Sequence, residues 1–550
     1  MKSAKHLPAM WPSTAISPAA LACAAGLWLV AFDNLGFWRA LWAARAPSSL
    51  HGALAVAGLA LVLWSLFALL ARLLCWPRVG KFAIAMLLVV AALAAYFIGS
   101  YGIFIDKGMM RNVLQTDWRE SADLLSLPLL LDFAWRGLLP AALVLSVRVA
   151  HPGWRQALAG IARSALLFAA LAAGCAAVFY ADYASTARNH RELRHLLTPT
   201  NVFNGLAGLW KEHSRANRQL VRIGQDARRD PADPGAKPLL VVLVVGETAR
   251  AANFSLGGYA RPTNQALAGK GVVYFGDVSS CGTDTATSLP CMFSDLGAGQ
   301  FQAAEAGARE NVLDILARTG VAVRWLDNNS GCKGVCDRIP WQDLSRSSDP
   351  ALCAGGECLD GVLLQGLRDG LAAAASDSLL VLHMKGSHGP AYYKRYPPAG
   401  RRFEPTCDTN EIQHCGVDAL RNTYDNGIAY TSEVLAKQIA LLAAQAGRVD
   451  SVLLYISDHG ESLGERNIYL HGLPKMLAPR EQTHVPMLAW LSTGAWQRLG
   501  VNEAALRQLA AQPLTHDNLA PTLLGLLGVR TSAVRVELDL MALARRAAPP

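Results

Sequence analysis

Up to residue 182 the chain carries five long apolar stretches, at 15–36, 51–74, 82–104, 126–149 and 159–182. Each is close to the roughly 20 residues a helix needs to cross the hydrocarbon layer. No water is available there to satisfy loose backbone groups, so such stretches fold as helices. The first third therefore reads as a five-helix transmembrane bundle. The first stretch is too long and too poorly flanked for a cleaved signal peptide and reads as a retained span. A hydrophobic content of 52% and a mean hydropathy of +0.22 average this part with an ordinary water-soluble remainder.

Basic residues set the orientation. Lys2 and Lys5 precede the first span, Arg72, Arg78 and Lys81 follow the second, and Arg148, Arg155 and Arg163 surround the loop after the fourth. These ends belong in the cytoplasm, although Arg39 and Arg45 on the opposite side weaken the asymmetry. An odd number of spans then leaves everything after residue 182 outside. The net charge of +9 comes with no basic stripe interleaved with aromatics and no Cys/His finger spacing, which excludes nucleic acid and favours an anionic membrane surface or lipid.

Cysteine usage agrees. Cys23, Cys75 and Cys175 lie in or beside spans; the others fall in close pairs, Cys281 with Cys291, Cys332 with Cys336, Cys353 with Cys358, and Cys407 with Cys415. Four local disulfides in an exported domain fit this pattern better than a zinc finger built from Cys332, Cys336, Cys353 and Cys358, since no flanking histidine completes such a finger. In a Gram-negative cell the compartment is the periplasm.

The expected organisation is a transmembrane domain over 1–182, with a polar, helical periplasmic loop at about 105–125, a basic connector over 183–237, a catalytic domain over 238–544 and a disordered tail over 545–550. The connector reads equally as a membrane-surface amphipathic helix or a solvated linker helix. The catalytic domain alternates strand candidates (239–245, 272–275, 321–326, 379–384, 452–456) with helix candidates (311–319, 361–375, 422–445, 516–527). That alternation predicts an α/β domain with a mostly parallel sheet and helices on both faces.

Two of these strands end in metal-ligating residues: Gly246-Glu247-Thr248 after the first, and Ser457-Asp458-His459-Gly460 after the last. In a parallel sheet the strand C-terminal ends share one edge, so these side chains converge on a candidate metal site. The stretch from Ser279 to Cys291 is dense in hydroxyls; locally it reads equally as a helix cap or as a nucleophile loop, because a hydroxyl needs a base or metal to react at neutral pH. His388 and His471 sit in glycine-containing turns from which both can reach the same edge.

With these blocks in order, the chain resembles the lipid A phosphoethanolamine transferases, the group that includes the mobile colistin-resistance enzymes. Its soluble part resembles the alkaline phosphatase and sulfatase superfamily. The matching segments are Gly246–Ala251, Cys281–Ser294, Asp327–Lys333, Lys385–Pro397, Cys407–Ile412, Tyr424–Asn426 and Ser457–Gly472. The resemblance implies a catalytic zinc held by Glu247, Asp458 and His459, with Thr285 as nucleophile and also at the metal. His388 and His471 would contact the phosphoryl group, bind a second zinc or protonate the leaving group. Thr283, Ser330 and Lys333 would contact the donor. Asn112, Thr116 and Glu120 recur every fourth residue, placing them on one helical face to receive the ethanolamine head group.

The implied reaction moves phosphoethanolamine from phosphatidylethanolamine to a lipid A phosphate, by a monomer in the inner membrane, and confers polymyxin and colistin resistance. Alternative acceptors are a core heptose or Kdo sugar, or a periplasmic glucan. A phosphoglycerol transferase or phosphatase, a catalytically dead sensor, and a transporter with Asp132 and Arg136 as its intramembrane charges fit less well. Asp284, Gln265, Asn467 and Ser432 depart from the residues common in the family, and none of them is an implied ligand.

Overall fold

The computed structural model describes residues 15–44, 46–47, 49–116, 118–150, 153–215, 219–230 and 235–547. Lys2, Lys5, Arg45, Arg218, linker residues 231–234 and residues 548–550 of the expected tail lie outside the described residues. The chain divides into two units: residues up to Ile105 with Leu127–Asn204, and Asp106–Ser126 with Gly205 onward.

In the first unit, Leu50–Leu74, Gly80–Tyr101, Leu127–Ser146 and Trp154–Val178 are each long and apolar enough to cross a membrane. The first expected span is bent instead: helices Pro18–Asp33 and Leu35–Ala44 meet at 56°, so the spans number four, or five if the bent pair is one. Asn34 makes the break. Its side-chain amide donates to Leu29 O and Thr198 O, and its Oδ1 accepts from Thr198 N at 2.9 Å, bonds that a regular helix at this position would not make. Asp132 and Arg136 form an i,i+4 ion pair rather than two isolated charges. Cys23, Cys75 and Cys175 are free thiols.

The second unit is built on an eight-stranded sheet. Its strands are β1 (Leu239–Gly246), β2 (Val273–Ser279), β3 (Ala322–Asp327), β4 (Trp341–Asp343), β5 (Ser378–His383), β6 (Asp450–Ser457), β7 (His484–Leu491) and β8 (Leu514–Thr515). They lie in the order β8-β2-β7-β6-β1-β5-β3-β4. β7 is antiparallel to both its neighbours, and the remaining pairings are parallel. β1 and β6 are buried at every position, the burial expected of central strands covered on both faces. The antiparallel β7 escapes a search for βα alternation. It carries Pro486 at a register shift between Val485 and Met487, where a missing N–H costs no ladder bond.

Three boundaries differ from expectation. The packed unit reaches back past residue 238: Ile223 joins the core, and Arg228–Arg229 pairs with Val529–Arg530. At the other end helix Leu540–Ala547 buries Leu540, Met541 and Ala544, so residues 545–547 are helical. The loop expected to present Asn112, Thr116 and Glu120 on one continuous helix is instead two pieces. Helix α1 (Lys107–Gln115) stops at Thr116, which is extended (φ −66°, ψ 130°) and whose hydroxyl donates to Asn112 O, and a short helix Trp118–Asp123 follows. The four-residue spacing therefore does not align the three residues on one face.

Candidate active site

Register builds the centre of the site. Gly246 of β1 pairs with Ser457 of β6, so the residues that follow, Glu247 and Asp458, leave the sheet side by side. The amide of Asp458 donates to Gly246 O and that of Thr248 to Asp458 Oδ1, at 3.0 and 3.2 Å, which ties the two strand ends together. Glu247, Asp458 and His459 are fully buried, and their ligating atoms lie within 4.8 Å of one another. Gly386 packs so tightly against this corner, at φ +55°, that a Cβ there would come within 2.5 Å of Glu247 O.

Helix α2 (Thr285–Met292) brings the hydroxyl. Asp284 is its N-cap, accepting from Thr287 N at 2.9 Å, so Thr285 is the first residue of the helix, where the backbone favours negative charge. This gives Asp284 a structural role that its position beside Thr285 did not suggest. Thr285 Oγ1 donates to the Glu247 carboxylate (3.1 Å to each oxygen) and lies 3.3 Å from His459 Nε2. Cys281–Cys291 closes the loop before α2. The other three disulfides are Cys332–Cys336, Cys353–Cys358 and Cys407–Cys415, so the alternative of a zinc finger on the middle four cysteines is excluded.

The cluster has the character of a cation site. His459 Nδ1 faces Gly460 O at 2.8 Å, so Nδ1 carries its proton and Nε2 points at the two carboxylates. Asp458 Oδ2 is buried and accepts no hydrogen bond among the described residues; His459 Nε2 is 3.4 Å from it. Burial and the charge of Glu247 push the Asp458 pKa up to about 7. Burial works against ionisation of Glu247 too, but the hydrogen bond and charge of His459 hold it well below the usual range. Burial likewise opposes charge on His459, and the carboxylates outweigh it, pushing its pKa up to about 10. Two buried carboxylates, one of them with an orphaned oxygen, and an imidazole whose Nε2 faces both form a donor set in which a divalent ion would take the place of the Nε2 proton.

Around this core is a layer that the sequence did not disclose. Asn329 Nδ2 donates to Glu247 Oε2 at 2.8 Å and to Met384 O. His383, on β5, sits 3.3 Å from Asn329 and 2.9 Å from Asp327 Oδ2, which also accepts from Trp325 Nε1. His516 joins the nucleophile loop to the ligand strand. Its Nδ1 accepts from Cys281 N and its Nε2 donates to Ser457 O, and burial pushes its pKa down to about 3, fixing the neutral ring. Asn329 lay within a matching block, but nothing in local sequence marks His383 or His516, which read as the ends of a strand and a helix.

His388 and His471 lie together beside His459. The His471 ring is 4.4 Å from that of His459 and 5.6 Å from that of His388, and its Nδ1 lies 3.2 Å from Glu461. Burial pushes the His388 pKa down to about 4. Glu120 comes within 4.0 Å of His388 and 3.2 Å of Lys385 Nζ. Burial disfavours its charge, yet the groups at His388, Lys385 and Lys333 lower its pKa to about 2; with His388 neutral at pH 7, the lysines carry that effect. Lys333 donates to Ser330 O and Oγ, at 3.1 and 3.0 Å. A Cβ on Gly472 would touch Asn112 Nδ2 at 3.5 Å, which places Asn112 beside the His471 turn. The Thr283 hydroxyl donates to Leu473 O, tying the nucleophile loop to that turn.

A buried acid–histidine cluster at the C-terminal edge of a mostly parallel sheet, facing a threonine at a helix N-terminus, is a candidate site for phosphoryl-group chemistry. The family models agree. Residues 240–529 match the sulfatase family and residues 63–214 match "Phosphoethanolamine transferase EptA/EptB". The chain is 42% identical over 518 residues to phosphoethanolamine transferase EptA of Escherichia coli K12, covering 93% of this chain and 94% of that one. It is 38% identical over 540 residues to phosphatidylethanolamine transferase Mcr-1 of Escherichia coli, covering 96% and 98%. The solved integral membrane lipooligosaccharide phosphoethanolamine transferase A of Neisseria meningitidis superposes with a TM-score of 0.94 at 37% identity, over 97% of this chain and all of that one. The chain belongs to the phosphoethanolamine transferase family. It is a multi-pass inner-membrane protein whose α/β domain is periplasmic.

Proposed function

We propose that the protein transfers phosphoethanolamine from phosphatidylethanolamine to a phosphate of lipid A through a phosphothreonine intermediate on Thr285. The observation that carries this reading is the Thr285 hydroxyl held on Glu247 and 3.3 Å from His459, at a helix N-terminus. Glu247, Asp458, His459 and Thr285 would hold a zinc ion, which lowers the pKa of the hydroxyl and neutralises charge on the phosphoryl oxygens.

In the first half-reaction Thr285 Oγ loses its proton and bonds to phosphorus. The bond from phosphorus to the glycerol oxygen breaks, and diacylglycerol leaves with a proton. In the second, a lipid A phosphate oxygen bonds to phosphorus, the threonine ester breaks and Thr285 regains its proton. His471, paired with Glu461, suits proton delivery to the leaving oxygen. His388, neutral at pH 7, suits hydrogen bonding to the phosphoryl group or ligation of a second zinc. Lys333, with Ser330, would face the donor phosphate, while Glu120, held ionised, would receive the ethanolamine ammonium beside Asn112 and Thr116.

A lipopolysaccharide-type acceptor is supported by the likeness to the lipooligosaccharide phosphoethanolamine transferase of Neisseria meningitidis. Adding an ammonium-bearing group to a lipid A phosphate lowers surface negative charge, from which polymyxin and colistin resistance follows. Mass spectrometry of lipid A from a susceptible Gram-negative host tests the reading. A phosphoethanolamine increment is expected with this chain and not with Thr285→Ala. An increment on core sugars or glucan alone would replace the acceptor.

A further inference from the structure

Lys385 stands between two carboxylates with different surroundings. Its side chain is almost wholly buried, and its Nζ donates to Glu120 Oε1 at 3.2 Å. It also lies 3.5 Å from Glu357 Oε1, a buried oxygen that accepts no hydrogen bond among the described residues. Glu120 faces the site, 4.0 Å from His388 Nε2. Glu357 belongs to the small hairpin closed by Cys353–Cys358, and its other oxygen faces Arg395 at 3.4 Å. Asp360 holds the backbone amides of Lys385 and Gly386 at 2.8 Å each, so the flexible stem of Lys385 is the part free to shift.

We propose that Lys385 is a specificity-determining residue that keeps the place of the substrate cation. In the empty site its ammonium rests on Glu120; when an aminoalkyl phosphate head group binds, that head group's ammonium takes Glu120 and Lys385 withdraws to Glu357. The inference rests on the transferase reading, in which Glu120 receives the head group. Two ammonium groups on one carboxylate repel each other, and Glu357 Oε1 offers an unfilled acceptor a short swing away. A head group without a cation has nothing to put in place of the lysine, so withdrawal would leave a buried carboxylate unpaired. Selection for the amine thus comes from a penalty on ligands that lack it, as well as from attraction.

Calorimetry on the full-length protein in detergent tests this, with O-phosphoethanolamine and with ethyl phosphate, which lacks the amine. Lys385→Met is expected to tighten phosphoethanolamine roughly fivefold and to leave ethyl phosphate within about twofold. Glu357→Gln, which removes the alternative seat, is expected to weaken phosphoethanolamine by roughly fivefold. Equal weakening of both ligands by Lys385→Met would show a merely structural lysine and overturn the proposal. So would shifts of the same sign in both variants, or no shift in either. If Lys385→Met does not fold, Glu357→Gln alone decides, by its sign and its selectivity for the amine. Turnover of phosphatidylethanolamine by the unsubstituted protein is measured alongside. Opposite binding shifts without turnover would sink the transferase reading alone; turnover without the shifts would sink the lysine's role alone.

Discussion

The metal-ligand corner and the head-group corner of the periplasmic unit are assembled by different means. Glu247 and Asp458 are placed by main-chain register between β1 and β6, at a sheet edge with no exposure. Glu120 arrives on a short helix that is held by side chains. Asp123 of that helix pairs with Lys394 and Arg395, and Asn410 Nδ2 donates to Asp123 O. Geometry set by register tolerates the loss of any one neighbouring side chain, whereas geometry set by tethers depends on each tether. The two corners should therefore respond differently to mutation: changes at the ligands remove chemistry and spare the fold, and changes at the tethers move the donor requirement while sparing chemistry.

The largest effect is expected from Thr285→Ala, which should lower transfer on the order of 10⁴-fold or more, as for a lost nucleophile. Its melting temperature should stay within a few degrees, since one part-buried hydroxyl is removed from a helix still capped by Asp284. Asp458→Asn should abolish zinc retention, read by metal analysis after dialysis, because a neutral amide cannot supply the charge. A large fall in the melting temperature of Thr285→Ala would contradict the claim that main-chain register places this corner. The layer behind it should matter less: Asn329→Ala is expected to weaken zinc affinity or activity by about 10–100-fold.

At the tethered corner, Asp123→Asn removes the charge that faces Lys394 and Arg395, and among the described residues leaves Arg395 with Glu357 as its charged partner. The expected outcome is a rise of roughly tenfold in the phosphatidylethanolamine concentration for half-maximal rate, with the maximal rate changed less. A fall in maximal rate with unchanged half-saturation would place this helix in the chemistry and erase the distinction between the corners.

How much of this was legible in sequence follows the same division. Strand-terminal acids and histidine are readable because a strand of known direction delivers its next residue to a known edge: Glu247, Asp458 and His459 needed only local sequence and a parallel sheet. Periodicity misled for Asn112, Thr116 and Glu120, because four-residue spacing assumes a continuous helix, and Thr116 ends one. His383 and His516 could not be read, because what gives them a role is a partner far along the chain: Asp327 for one, Cys281 and Ser457 for the other. Lys385 is similar, its two carboxylates lying 265 residues before it and in a disulfide hairpin.

His516 also ties the metal-ligand corner to pH. Its pKa is pushed down to about 3 by burial, below the 6.5 of a free ring. The folded state therefore binds the proton less readily than the unfolded one. Its contribution is complete above pH 6.5 and is lost as pH falls from 6.5 towards 3, by up to roughly 5 kcal/mol. Unfolding of the full-length protein followed between pH 7 and pH 4 should show a shallower acid loss in His516→Gln than in the unsubstituted chain. An identical slope would mean that the ring is not held neutral between Cys281 and Ser457.

The smallest effect sharpens the contrast most finely, because it compares one backbone conformation in two places. Thr248 and Asn467 both have left-handed backbone, at φ 59° and 60°. Asn adopts this region readily, so Asn467→Gly should change stability by less than about 0.5 kcal/mol and leave transfer unchanged. A β-branched residue there is strained. Thr248 stays because Tyr424 donates to its carbonyl, its amide donates to Asp458, and its hydroxyl donates to Glu247 at 2.7 Å. Thr248→Gly should relieve about 1 kcal/mol of backbone strain while weakening zinc retention several-fold, a gain in stability with a loss in function. If both glycine variants behaved alike, the strain at Thr248 would have no connection with the ligands, and the register of β1 and β6 would be the whole account of this corner.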